Sequence, residues 1–160
     1  MLLSYEIVNG KKILYISSGY WHLQYHGDVE YSGHIFKYTQ NGDTYDIEEL
    51  NYNGSFFDFK DGNLIYTNTD RDKLFFNSNE ILTFSDDETI YQIMYNGMKI
   101  AINTRIKIDS SSYEYYSYTL SINGNIEKKY KDGYFVLTDN VLIFIQNRIN
   151  PKKLIVEPLF

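Results

Sequence analysis

The 160-residue chain has no cysteine, two prolines and one tryptophan. Zero cysteine removes disulfides, thiolate zinc sites and cysteine nucleophiles together. Both prolines, Pro151 and Pro158, lie near the C-terminus, so none interrupts an extended run before Asn150-Pro151. No stretch approaches the ~20 apolar residues of a membrane-spanning helix. The start, Met1-Leu2-Leu3-Ser4-Tyr5-Glu6, has no basic segment and too short an apolar run for a signal peptide. A soluble, cytoplasmic protein is therefore expected, with no membrane partner.

Motifs for chemistry are also missing. There is no Gly-x-Ser-x-Gly, no Walker loop, no Gly-x-Gly-x-x-Gly and no EF-hand loop. Basic charge is in short supply: the net charge is −6. Residues 1–100 carry 15 acids against 7 Lys and Arg, whereas residues 101–160 carry 6 acids against 8. An acidic body disfavours nucleic acid, whose binding depends on cations that neutralise phosphates. It suits a basic protein partner.

Tyrosine and Asn/Asp-Gly pairs dominate what is present. Seventeen tyrosines bring the aromatic share to 18%, and tyrosine fits a pleated, half-buried surface. Seven of the ten glycines directly follow Asn or Asp, at Asn9-Gly10, Asn41-Gly42, Asn53-Gly54, Asp61-Gly62, Asn96-Gly97, Asn123-Gly124 and Asp132-Gly133. Such pairs between apolar runs signal hairpins, because both central residues of a type I′ turn need positive φ. Gly62, Gly97 and Gly133 recur at nearly even spacing, each before a short apolar run.

About sixteen short strands are predicted. They lie near Leu3–Val8, Ile13–Ile16, Tyr20–Tyr25, His34–Thr39, Thr44–Leu50, Ser55–Phe59, Leu64–Asn68 and Lys73–Phe76. The rest lie near Ile81–Phe84, Thr89–Tyr95, Met98–Ile108, Tyr113–Ile122, Ile126–Tyr130, Tyr134–Thr138, Val141–Gln146 and Leu154–Glu157. The only helical alternative is one turn at Ile47-Glu48-Glu49-Leu50. Residues 1–160 thus read as a single all-β domain of short antiparallel strands joined by Asn/Asp-Gly hairpins.

A repeat is visible within this pattern. His34–Asp43 lines up with Tyr115–Asn125, and Lys60-Asp61-Gly62 with Lys131-Asp132-Gly133, each followed by two apolar strands. The order of aromatic strand, Asn-Gly, polar strand, Asp-Gly and apolar strand resembles the blades of β-propeller repeat proteins. That resemblance implies about four blade-sized units, with interaction surfaces at the loop ends. A closed lipocalin-like barrel is the alternative: Gly19-Tyr20-Trp21 is similar to the Gly-x-Trp of that family, and Met98–Ile108 with Tyr113–Ile122 make a long hairpin.

Candidate sites are few. His22, Gln24 and His26 would share a strand face, with Asp28 and His34 nearby, but two histidines at i and i+4 on a strand lie ~13 Å apart. No metal site or cofactor is expected, and no residue set specifies catalysis. The acid clusters Glu48-Glu49, Asp70-Arg71-Asp72 and Asp86-Asp87-Glu88 each fall where a turn is predicted and read as solvated loop charge. Tyr20, Trp21, Tyr25, Tyr31 and Tyr38 crowd the first quarter, and Tyr113, Tyr115, Tyr116 and Tyr118 form a second group. Tyrosine combines contact area with a polar tip and is enriched at interface hot spots. Tyr116 shares its face with Leu120 and Ile122, so Tyr115 is the one expected at the surface.

The sequence therefore suggests a non-enzymatic binding protein whose interaction residues are Tyr20, Tyr25, Tyr31, Tyr115, Asp86, Asp87 and Glu88. Its partner would be a protein, and assembly with further copies of the chain is compatible with such small units. By analogy, small acidic bacterial or phage proteins of this kind act as immunity proteins or inhibitors. The alternative is a barrel or propeller binding a small sugar, nucleotide or lipid.

Overall fold

The computed structural model describes residues 2–17, 20–23, 29–32, 34–50, 54, 56–146 and 152–159. Among them there are seventeen strands and no helix. β1 (Leu2–Val8) and β2 (Lys11–Ser17) lead into a separate hairpin of β3 (Tyr20–Leu23) and β4 (Val29–Ser32). The chain then returns through β5 (Ile35–Asn41) and β6 (Thr44–Leu50), giving sheet I the order β1-β2-β5-β6.

The remaining sheets are uninterrupted meanders. Sheet II comprises β7 (Phe57–Lys60), β8 (Asn63–Thr67), β9 (Lys73–Phe76) and β10 (Asn79–Thr83). Sheet III comprises β11 (Glu88–Tyr95), β12 (Lys99–Lys107), β13 (Tyr113–Ser121) and β14 (Ile126–Lys131). Sheet IV has three strands, β15 (Tyr134–Leu137), β16 (Val141–Gln146) and β17 (Lys153–Pro158). Every described pairing is antiparallel, and only β2 with β5 joins strands that are not consecutive.

Hairpin chemistry explains much of this. Asn9-Gly10 adopts φ of 52° and 76°, and Asp61-Gly62 adopts 52° and 77°, so both central residues are left-handed as a type I′ turn requires. Asn77-Ser78, between β9 and β10, does the same at 47° and 70° without a glycine. Asp132-Gly133 differs from expectation. It joins β14 of sheet III to β15 of sheet IV and so marks a crossing between sheets.

Period-two alternation divides each interior strand between two cores. Leu64 and Tyr66 of β8 join Ile13, Tyr15, Ile35 and Phe59 between sheets I and II. Ile65, from the same strand, turns the other way to meet Ile90, Ile100, Ile102, Tyr118 and Leu120 between sheets II and III. Ala101 of β12 then joins Phe135, Leu142 and Phe144 between sheets III and IV. Sheets I to IV are thus stacked in sequence order around three apolar slabs. Each fully buried aliphatic or aromatic side chain contributes roughly 1.5–3 kcal/mol by leaving water.

Polar side chains of one sheet satisfy backbone groups on the next. The Gly62 N–H donates to Glu6 Oε2 at 2.7 Å, the Tyr95 N–H to Asp58 Oδ2 at 2.8 Å, and the Phe135 N–H to Asn103 Oδ1 at 3.0 Å. Burial raises the Asp58 carboxyl above its usual range, and the bonds from Tyr95 and Phe59 partly oppose that shift. Lys60 adds an ion pair to Asp139 at 3.0 Å, linking sheet II to the β15–β16 turn.

Three expectations need correction. No sheet closes on itself, so the lipocalin-like barrel is not formed; each sheet is open, with two edge strands. Ile47–Leu50 is not a helical turn but the end of β6, paired in register with β5 from Ile35 to Tyr38. The repeat alignment is also one strand out of phase. β5 and β13 are both third strands of their sheets, yet Lys60-Asp61-Gly62 follows a first strand and Lys131-Asp132-Gly133 a fourth.

Candidate interaction surface

One end of sheet III gathers several residue types suited to binding. The β12–β13 register sets Arg105 opposite Tyr115 and Lys107 opposite Tyr113. The Arg105 guanidinium lies 5.1 Å from the Tyr113 ring centroid, a cation–π distance. Tyr115 meets Tyr91 edge to face, with centroids 6.0 Å apart and planes at 80°. Tyr113 is exposed, while Tyr115 and Arg105 are half-buried.

The β10–β11 turn joins this end. The Lys107 N–H donates to the Asp87 carbonyl at 3.0 Å, which holds exposed Asp86 and Asp87 beside the Lys107–Tyr113 pair. The β12–β13 loop is closed by Asp109, which accepts from the Ser112 hydroxyl at 2.6 Å and from the Ser111 and Ser112 N–H groups. Those bonds, Ser112 first, lower its carboxyl to about 2. The surface thus carries fixed negative charge beside tyrosine faces and a guanidinium.

Glu88 does not belong to it. Its side chain is buried, and Oε1 accepts from the Thr104 hydroxyl at 2.6 Å and the Tyr118 hydroxyl at 2.8 Å. The reading of Asp86-Asp87-Glu88 as one solvated cluster therefore holds for the first two members only. Alternation along β11 turns Glu88 into the slab between sheets II and III with Ile90. Burial first, then the bond to Glu88, raises the Tyr118 phenol far above its ordinary value.

The N-terminal tyrosines stand apart. Tyr20 and Tyr31 lie in β3 and β4, which pair so that Tyr20 faces Ser32 and Trp21 faces Tyr31 in register. Their side chains, and the whole of Tyr25, lie outside the described residues. The same holds for the His22 side chain and His26. His34 is exposed and paired with Glu49. Among the described residues no group of three or more His, Asp or Glu side chains converges to hold a metal ion.

A second feature was not anticipated from sequence. Between sheets I and II lies a cleft of about 300 Å³, lined by residues including Tyr15, Lys37, Glu48, Leu64, Asn77 and Ser78. Lys37 and Glu48 face each other in register, and Lys37 Nζ donates to the Gly62 carbonyl at 3.3 Å. Tyr15 is buried and stacked on Phe59 with centroids 4.2 Å apart, and its hydroxyl has no hydrogen-bond partner. Burial, then Glu6 and Glu48, raises that phenol well above its ordinary value. No sequence signal pointed here, because the cleft forms where β6 and the β9–β10 turn meet.

No protein-family model, curated protein or solved structure matches the chain.

Proposed function

We propose that this chain is a non-enzymatic binding protein that docks a protein partner through the Tyr113, Tyr115, Arg105 and Asp86-Asp87 end of sheet III. The observation that carries the reading is the Lys107-to-Asp87 backbone bond, which sets exposed acids next to the paired tyrosines. Tyr and Arg are enriched at binding hot spots, and adjacent carboxylates steer a basic partner. Such a surface suits an immunity- or inhibitor-type protein of bacterial or phage origin, acting in the cytoplasm by occupying another protein.

The test compares the wild-type chain with Tyr113→Ala and with Asp86→Ala/Asp87→Ala, each first shown to melt like the wild type. A partner captured by the wild type should be lost from both variants and weakened by added salt. Equal capture by all three would refute the reading.

A second reading, a small-ligand site, is favoured by the partnerless Tyr15 hydroxyl at the cleft between sheets I and II. The lining groups Lys37, Glu48, Asn77 and Ser78 would suit a polyhydroxylated ligand such as a sugar. Thermal stabilisation by a sugar and nucleotide panel, abolished in Tyr15→Phe, would support it over protein docking.

A further inference from the structure

The two terminal sheets have the composition of interior ones. Sheet II is apolar on both faces because a neighbouring sheet covers each, and sheet III is apolar on the face toward sheet II, whereas its face toward sheet IV carries buried Asn103, Ser117 and Thr119 beside Ala101. A sheet with one wet face shows polar residues on it. Among the described residues, sheets I and IV each share an apolar slab with one other of these sheets, yet their outer faces are rich in apolar side chains too.

On sheet I the outward row Tyr5, Leu14, Tyr38 and Ile47 runs unbroken across all four strands, as the registers Tyr5 with Leu14, Leu14 with Tyr38 and Tyr38 with Ile47 show. Ile7 and Ile47 are 64% and 63% exposed. The charged residues on this face, Lys12 and Glu49, sit on either side of that row, Lys12 opposite Ile7 and Glu49 opposite Phe36.

Sheet IV goes further. Its outward rows are Tyr134, Ile145 and Leu154, then Val136, Ile143 and Val156, then Val141 and Pro158, with no charge among them. Leu154 and Val156 are 64% and 54% exposed. Exposed apolar faces of this extent mark interaction surfaces.

We infer that sheet IV of one molecule packs on sheet I of a second copy of this chain, continuing the stack head to tail. The occupant follows from the order already present. The inner face of sheet I meets sheet II, the far face of II meets III, and the far face of III meets IV. The far face of IV therefore offers the next position to a face built like that of sheet I, whose apolar central row and flanking charges fit the charge-free rows. Three strands spaced ~4.8 Å and about six residues long give a face of roughly 300 Å² in projection. Side-chain relief brings the surface lost by both partners to the order of 1,000 Å², the lower bound for a specific assembly. A head-to-tail contact of this kind closes into a ring or extends as a filament.

Sedimentation velocity over a range of concentrations, with Ile47→Lys and Val156→Lys, tests this. Both positions are exposed, so each variant should keep the wild-type melting temperature. The wild type should associate with rising concentration, and each variant alone should associate at least tenfold more weakly. An equimolar mixture of the two should form a discrete one-to-one dimer, because the sheet IV intact in one fits the sheet I intact in the other. Three results overturn the inference: a wild type monomeric at every concentration, an Ile47→Lys variant that still dimerises, or a mixture that stays monomeric. Because the chain has no cysteine, an Ile47→Cys/Val156→Cys double variant reads the remaining case. An intramolecular disulfide in its monomer would mean that the two faces meet within one molecule, which also overturns the inference.

Discussion

Asn103 in β12 and Phe135 in β15 form a two-way hydrogen-bonded pair: Asn103 Oδ1 accepts the Phe135 N–H at 3.0 Å, and Nδ2 donates to the Phe135 carbonyl at 3.5 Å. Both residues are fully buried. One side-chain amide thus stands in for a neighbouring strand at the first strand of sheet IV. Asn103→Leu would keep the volume while stranding the Phe135 N–H, which costs about 2 kcal/mol. Urea unfolding should show that loss as a lower midpoint.

Glu88 and its sequence neighbours should behave oppositely. Glu88→Ala leaves the Tyr118 and Thr104 hydroxyls buried without their acceptor, a loss of roughly 2–3 kcal/mol. Asp86→Ala and Asp87→Ala remove exposed carboxylates and should shift stability by less than about 0.5 kcal/mol. Thermal melts of the three single variants check this contrast directly.

Alkaline pH should unfold the chain from its tyrosine cores. The phenols of Tyr15 and Tyr118 are raised well above the ordinary 10.0, mainly by burial. A raised folded-state value means that the folded chain holds those protons more tightly than the unfolded chain. Their contribution is complete below pH 10 and declines as pH rises beyond it. Stability followed against pH should be level up to that point and then fall, with phenolate absorbance from these two rings appearing only on unfolding. Tyr15→Phe should make the decline shallower.

The β9–β10 turn invites a stabilising change. Ser78 holds φ at 70°, a region that a residue with a Cβ adopts at a cost of roughly 1–2 kcal/mol. Ser78→Gly relieves that strain, while the freer unfolded chain offsets part of the gain. A net increase of about 0.5–1 kcal/mol in unfolding free energy is expected by urea titration.

Much of the fold was legible because the chain writes its turns locally. Asn9-Gly10 and Asp61-Gly62 carry their geometry in two residues. Period-two alternation along β12 sets Ile100 and Ile102 on one face and Asn103 on the other. What the alternation hid was depth. Asn103 looks like a solvent-facing residue until sheet IV, more than thirty residues later, covers it. Glu88 is misread for the same reason, because its partners Thr104 and Tyr118 are supplied by other strands. Asn77-Ser78 carries no glycine to announce a left-handed turn. Tyr115 and Asp87 read as separate candidates, and only the β11–β12 and β12–β13 pairings bring them to one end of sheet III. The cleft beside Tyr15 had no local signature at all.

Pairing almost entirely between consecutive strands has a consequence for biosynthesis. Each meander can complete its hydrogen bonds as soon as its last strand leaves the ribosome, and the next can then condense on it, much as solenoid repeats propagate. The N-terminal unit must wait longest for assembly, since the β3–β4 hairpin separates its second strand from its third. Ribosome-arrested chains in which residues 1–84, and then residues 1–131, have cleared the exit tunnel should therefore acquire protease resistance in discrete steps rather than all at once.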